Sequence, residues 1–284
     1  MSSNFFLQSA PFNFQIHTSD NYLFNQLQQI YPGDLLSKSA TDSIIDFQIN
    51  FKKQRLSLSQ NYAFRLGQNH FRMTAREQMV SVFEWGLNWS VSSFQNRYLC
   101  IHAAVLEKNG LSLVLPAPPG SGKSTLCALL MLTGWRLLSD EHCLLDPESG
   151  QIVPFVRPVS LKNRSIAVIN QRFSNQPVKL IIPDTLKGTL GYLAPSEKSW
   201  QGMLQTATPC YVIFPKYNNS VSETEFSHIS QSQLFMHLAI NSFNYSVLGE
   251  TGFHTLSNFV RQVVAIRLEY SDTDHALKLI EELD

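Results

Sequence analysis

Apolar positions along the chain set the expected elements. Met79, Val82, Phe83, Leu87, Val91 and Phe94 recur at spacings of three and four. That is the period of one helix face, and it predicts a helix over 74–96. Thr74 and Glu77 have the spacing of a capping box at its start. Trp85 and Trp89 lie one turn apart on another side of the same helix. They read as packing residues rather than a ligand shelf, so the helix is expected to be buried on more than one face and to link two parts of the chain. Residues 1–70 are polar and aromatic, rich in Asn, Gln, Ser and Phe. Alternating runs at 44–51 and 55–58 predict strands, and Pro32-Gly33-Asp34 a turn. The frequent Phe, Ile and Leu argue for a folded, β-rich piece rather than a disordered Gln/Asn tract. His17 and His70 have no partner pattern and read as ordinary surface or edge residues.

From residue 98 the pattern changes. A strand at 98–106, an Asn109-Gly110 hairpin turn and a short apolar strand at 111–115 are followed by a helix-compatible run at 125–132, with Gly134 as a stop. Residues 136–141 are an apolar segment ending in two carboxylates, and 142–146 and 151–155 flank a hairpin turn at 147–150. Residues 196–208 are a polar connection with the character of a mobile loop. A strand at 210–215, helices at 230–243 and 252–267, a strand ending at 265–270 and a last amphipathic helix over 274–283 complete the chain. Asp272-x-Asp274 has the look of a metal pair, but helix capping is the better reading.

Between the strand at 111–115 and its helix lies Ala-Pro-Pro-Gly-Ser-Gly-Lys-Ser-Thr, residues 117–125, which fits [AG]-x-x-x-x-G-K-[ST]. Such a loop grips phosphate because its glycines adopt positive φ, turning successive N–H groups toward one anion. The following helix adds its unsatisfied first-turn donors and the positive end of its dipole. The binding stretch is Pro119, Gly120, Ser121, Gly122, Lys123, Ser124 and Thr125. Pro118 and Pro119 have no N–H to give, so the amides from Gly120 onward form the cradle. Lys123 would reach the β- and γ-phosphates and Ser124 would ligate Mg²⁺. The competing reading is a plain Gly/Pro turn between two core elements. Asp140 and Glu141 come one helix later, where a phosphoryl-transfer enzyme keeps its metal-associated and base carboxylates. Adjacent residues on a strand point to opposite faces, so the two are expected to do different jobs, unless one or both merely open a polar turn. Extra cations for the transferring phosphoryl group would come from Arg157, Lys162 or Lys187, the alternative for each being a solvated surface charge.

These segments together resemble the HPr kinase/phosphorylase superfamily, and more closely the HPr-kinase-related kinases of type A. The resemblance is carried by His102-Ala-Ala, the loop 117–125, Gly134-Trp-Arg-Leu-Leu-Ser-Asp-Glu141, Arg157-Pro-Val-Ser-Leu-Lys-Asn163, Asp184-Thr-Leu-Lys-Gly-Thr189 and Asn241-Ser-Phe-Asn-Tyr245. The superfamily pattern covers about residues 98–215. The type-A pattern extends over nearly the whole chain, including Glu84-Trp-Gly-Leu-Asn-Trp89. The resemblance implies an α/β fold: a P-loop kinase core with a mixed sheet, of the HPr kinase and phosphoenolpyruvate carboxykinase type, over 98–284, with a β-rich N-terminal region over 1–97. It implies transfer of the γ-phosphoryl of ATP to a hydroxyl, with ATP and Mg²⁺ as cofactors. It assigns His102, Lys123, Asp140 and Glu141 to catalysis and Ser124 to the metal, and it favours a site role for Lys187; Lys162 stays a catalytic candidate on charge alone, and of the two carboxylates one would be the base and the other, taken as Asp140, would support the metal. A lone histidine in an apolar strand is ordinarily a satisfied core residue; the resemblance makes His102 an orienting or charge-tuning partner of the carboxylates. One departure stands out. The family's Leu-Glu-Ile-Arg-Gly segment aligns with Val159-Ser-Leu-Lys-Asn163, which puts Ser160 at the metal-holding Glu and Lys162 at the Arg. The second metal ligand is left unassigned and phosphorylase activity is not carried over.

Composition narrows the partners. The 284 residues are enough for one large or two small domains, and 44% are apolar. There are 22 basic and 22 acidic residues and no basic stripe, which argues against a duplex nucleic-acid partner. Cys100, Cys127, Cys143 and Cys210 have no C-x-x-C spacing and read as reduced thiols. No leader-like N-terminus or long apolar run is seen, so a soluble cytoplasmic protein without a membrane partner is expected. The expected activity is an ATP-dependent Ser/Thr kinase acting on a protein or peptide, with a carboxylate base. By resemblance, a small peptide-chaperone protein of the pyrroloquinoline-quinone-D type is a plausible partner; a homo-oligomer stays open. The alternatives are a small-molecule kinase of the same fold and an ATP-binding regulatory or scaffold module with little turnover.

Overall fold

A computed structural model describes residues 3–39, 43–53, 62–73, 75–118, 120–185 and 187–283. The expected strand at 55–58, Thr74 of the expected capping box and Pro119 of the loop lie outside the described residues. The fold is α/β with mixed sheets. The chain divides into two compact units, 1–91 with 157–195 and 92–156 with 196–284. The sequence suggested a single boundary near 97; instead the chain leaves the second unit after 156 and returns to it at 196.

The first unit holds a six-stranded sheet in the order Leu36–Ser37, Ser3–Ser9, Phe12–Thr18, Phe47–Lys53, Tyr62–Leu66, Asn69–Met73. Strand Phe12–Thr18 alternates strictly, with Phe12, Phe14 and Ile16 inward. Helix Met79–Phe94 packs Phe83 and Leu87 into the same core as Phe51 and Phe64. Gly86 makes that approach possible: a Cβ there would sit 2.3 Å from the Phe64 ring. A mid-helix glycine costs about 1 kcal/mol against alanine, so the gain here is closeness. Trp85 and Trp89 stack at 6.4 Å with Phe71 edge-on to both. They are packing residues, although Trp85 keeps 38% exposure, so that side of the helix is only partly covered.

Residues 157–195 bring a three-stranded antiparallel sheet, Val159–Lys162, Gly188–Leu193 and Leu180–Thr185, and helix Arg164–Arg172 with Ile166 and Ile169 buried. Arg157 fastens this return. Its guanidinium donates to the Glu84 carboxylate and carbonyl and to Asn88 Oδ1, and the Tyr31 hydroxyl donates to Glu84 at 2.8 Å. Glu84 and Arg157 are both buried. Burial alone would disfavour the Arg157 charge, but Glu84 holds its pKa above the ordinary value. Losing one partner of such a pair strands the other charge, a cost of about 3–5 kcal/mol. The sequence offered Arg157 as a phosphate-site cation; its commitment to Glu84 corrects that.

The second unit holds an eight-stranded mixed sheet in the order Ile152–Val153, His142–Leu145, Leu99–Lys108, Leu111–Pro116, Tyr211–Tyr217, Val264–Tyr270, Glu225–His228, with Arg136–Ser139 also paired to Leu99–Lys108. Leu111–Pro116, Tyr211–Tyr217 and Val264–Tyr270 run parallel, and the other pairings are antiparallel. Asn109 and Gly110 both have positive φ, the geometry of a two-residue hairpin. Leu99, Ile101, Ala103 and Val105 share a core with Leu234, Leu238, Leu256 and Phe259 of helices Gln231–Ile240 and Tyr245–Gln262. Their alternates, His102 among them, face the other side of the sheet. The helix expected from 252 begins at Tyr245 and kinks at Gly249, and the chain is already strand from Val264. Residues 196–208, expected to be mobile, are fastened. They form helix Glu197–Gln201; the Arg136 guanidinium donates to the Gly202 and Gln205 carbonyls, and Ser199 Oγ accepts from the Leu137 N–H. Asp272 accepts from the amides of Asp274 and His275, so it is a helix cap. No helix among the described residues is long and apolar enough to cross a membrane.

Candidate functional site

Strand Leu111–Pro116 feeds the loop 117–122, and helix Lys123–Leu132 leaves it. Gly120 and Gly122 have φ of 88° and 93°, in the left-handed region where a side chain would be strained. The Ser121 N–H donates to the Pro118 carbonyl at 3.3 Å, closing a turn. Gly122 is the helix N-cap and has no side chain to offer, so the first turn receives no side-chain cap. Ser121 Oγ is buried with no hydrogen-bond partner among the described residues. Uncapped first-turn amides, a buried hydroxyl and the positive end of a helix dipole make a cradle suited to an anion. Ser124 and Thr125 lie in that first turn, partly exposed.

Lys123 is buried at the base of the cradle. Its ammonium donates to the Asp140 backbone carbonyl and lies 3.5 Å from Glu141 Oε2. Burial opposes its charge, but Asp140 and Glu141 outweigh that and hold its pKa above the ordinary lysine value. Glu141 Oε2 is also 2.8 Å from His102 Nε2. Burial would raise the Glu141 pKa; Lys123 and then His102 more than reverse this and hold it well below the usual carboxylate range.

Asp140 and Glu141 are not on a strand. They form the connection between Arg136–Ser139 and His142–Leu145, where Ser139 Oγ accepts from the Glu141 and His142 amides. The turn, rather than strand alternation, separates them. Asp140 is 4% exposed beside Lys123 and Cys127, whereas the Glu141 side chain is one-third exposed. Burial, and then the Asp140 charge, push the Cys127 thiol well above its ordinary pKa. Cys100, Cys127 and Cys143 are buried free thiols.

His102 is positioned by both neighbours of its strand. It stands in register with His142, and its backbone N–H donates to the Asn241 carbonyl at 2.8 Å. The Phe243 ring lies 5.8 Å from His102 and 5.5 Å from His142. Asn244 fixes this arrangement: its Oδ1 accepts from the Cys100 N–H, and its Nδ2 donates to the Tyr98 carbonyl, each at 2.9 Å. The stretch 241–245 therefore acts as a clamp on the His102 strand.

The structure thus brings Lys123, Asp140, Glu141 and His102 together beside Gly120, Ser121, Gly122, Ser124 and Thr125. Lys162 and Lys187 are exposed residues of the first unit, Lys162 on a strand of the three-stranded sheet and Lys187 in the turn before Gly188–Leu193; Lys162 pairs with Leu190, and Ser160 with Tyr192. The Lys187 amide donates to Thr185 Oγ1. Two residues at the loop have no local sequence signal. The Tyr217 N–H donates to the Ser121 carbonyl at 2.9 Å, and a Cβ on Gly122 would lie 3.2 Å from Tyr217 Cβ and 3.5 Å from Tyr270 Oη. They reach the loop from about 100 and 150 positions away, through strand pairing alone.

Among the described residues no group of three or more His, Cys, Asp or Glu is placed to hold a metal. No family model matches the chain, and no curated protein matches it.

Proposed function

We propose that the second unit is a P-loop kinase core of the HPr kinase and phosphoenolpyruvate carboxykinase type, which transfers the γ-phosphoryl group of ATP to a Ser or Thr hydroxyl of a protein or peptide. The observation that carries this reading is the contact of one carboxylate, Glu141, with both the loop lysine and His102 at the mouth of an anion cradle. The antiparallel pairing of Leu99–Lys108 with both Leu111–Pro116 and Arg136–Ser139 favours this core over an all-parallel NTPase sheet.

In this reading the loop amides and Lys123 bind the phosphates, and Glu141 accepts the hydroxyl proton. With Lys123 and His102 both on it, Glu141 is a weak base. When Lys123 turns to a phosphate, Glu141 loses a cation and its basicity rises toward what general-base work needs. His102 keeps the carboxylate aimed. The Ser124 hydroxyl and the Asp140 carboxylate are the oxygens that would hold Mg²⁺, which binds through one or two protein oxygens and would supply charge neutralisation at the phosphate.

The test is incubation with γ-labelled ATP, Mg²⁺ and Ser/Thr peptides. Lys123→Ala and the double variant Asp140→Asn/Glu141→Gln are expected to lower label transfer by about 10²-fold or more. Equal transfer by wild type and variants would contradict the mechanism. The competing reading is a nucleotide-binding module with little turnover. It is favoured by the hold of Lys123 on Asp140 and Glu141, which must loosen before catalysis, and it predicts slow hydrolysis with no transfer.

A further inference from the structure

Leu111–Pro116, Tyr211–Tyr217 and Val264–Tyr270 run parallel, so their carboxyl ends share one edge of the sheet. Ligands of open α/β sheets sit outside such an edge. The loop leaves from the first of these strands, and the other two end in tyrosines that are cross-strand partners, Tyr217 and Tyr270. The rings meet edge-on, with centroids 5.7 Å apart at 69°. Their environments differ. Tyr270 is 2% exposed with its hydroxyl against Gly122, and serves as a prop for the loop. Tyr217 is 40% exposed, while its own N–H holds the Ser121 carbonyl.

Lys216 pairs with Glu269 at 2.8 Å, and Asn218 Nδ2 donates to the same carboxylate at 2.6 Å. Lys216 and Glu269 are the cross-strand pair next to Tyr217 and Tyr270, so this cluster lies on the opposite face of the sheet from the two rings. It fixes the backbone beside Tyr217 and leaves one half-exposed aromatic surface next to the loop. A flat ring stacks on such a surface. A triphosphate held by the loop amides projects its nucleoside from the rim.

We infer that Tyr217 is the nucleobase platform of the site, the group by which it distinguishes a nucleoside triphosphate from an inorganic polyphosphate. The inference rests on the phosphate-binding reading of the loop and adds the group that recognises the rest of the donor. Tyr217 stacks on the base, and Tyr270 holds the Tyr217 ring in place.

The experiment is calorimetric titration of wild type, Tyr217→Ala and Tyr217→Phe with ATP and with inorganic tripolyphosphate, each with Mg²⁺. Base–aromatic stacking predicts that Tyr217→Ala weakens ATP binding by about 5- to 100-fold, leaves tripolyphosphate within about twofold, and that Tyr217→Phe keeps ATP within about threefold. Equal weakening of both ligands by Tyr217→Ala would make Tyr217 a mere support of the loop and overturn the platform. Unchanged ATP binding would overturn it too, with the phosphate loop itself left standing. Wild type that binds neither ligand would overturn the phosphate-loop reading beneath it and the platform together.

Discussion

Glu141 illustrates how one side chain acquires its chemistry from its neighbours. Lys123 and His102 lower its pKa below the ordinary value of 4.5, so folding favours its anion. A group lowered in the folded state stabilises fully above its unfolded pKa, and that contribution disappears as pH falls through the folded value. Lys123 is raised above 10.5, and its contribution is present below that value and disappears as pH rises through the folded one. Melting temperatures of wild type and Glu141→Gln, followed against pH, are therefore expected to differ at neutral pH, the gap beginning to narrow as pH falls below the ordinary value of 4.5 and closing only as pH passes the lower folded value. A constant gap down to the acid limit would show that the Glu141 charge is not what the cluster uses. Residue-scale geometry was legible where the partners are close in sequence. The spacing of 117–125 marked the positive-φ glycines and the strand–loop–helix around them, because such a turn is set by consecutive residues. Arg157 was misread because its partner Glu84 lies 73 residues away, and nothing in Arg-Pro-Val-Ser announces a buried carboxylate.

At the scale of elements, the stretch 98–153 follows its local signals closely. Asn109-Gly110 turns a hairpin, Gly134 stops the loop helix at a φ of 102°, and Gly150 closes the next hairpin. Later elements depart from theirs. Apolar spacing runs without a break from helix Tyr245–Gln262 into strand Val264–Tyr270, and only pairing with Tyr211–Tyr217 decides where one ends. Residues 196–208 carry polar side chains, but their backbone carbonyls are taken by Arg136, a bond that composition cannot reveal. Asp272 separates the two readings of Asp272-x-Asp274. Asp272→Ala is expected to cost about 1 kcal/mol of stability in denaturant unfolding, as loss of a helix cap does, with no change in any Mg²⁺ dependence. A loss of Mg²⁺ response without a loss of stability would restore the metal pair.

At the scale of the molecule, the two units are interleaved in sequence, and the second contains the loop, Lys123, Asp140, Glu141 and His102 within one mixed sheet and its turns. Three features converge at the carboxyl edge of its parallel strands: a loop with two positive-φ glycines and an uncapped helix start, a buried lysine paired with carboxylates, and a half-exposed tyrosine. The proposed phosphoryl transfer requires the loop to take a nucleotide's phosphates, and the most direct measurement is calorimetric titration of the full chain with ATP and Mg²⁺. One-to-one binding is expected, weakened about tenfold or more by Lys123→Ala, the loss of a charge-assisted contact. Absence of binding heat with wild type, or an affinity unchanged by Lys123→Ala, would contradict it.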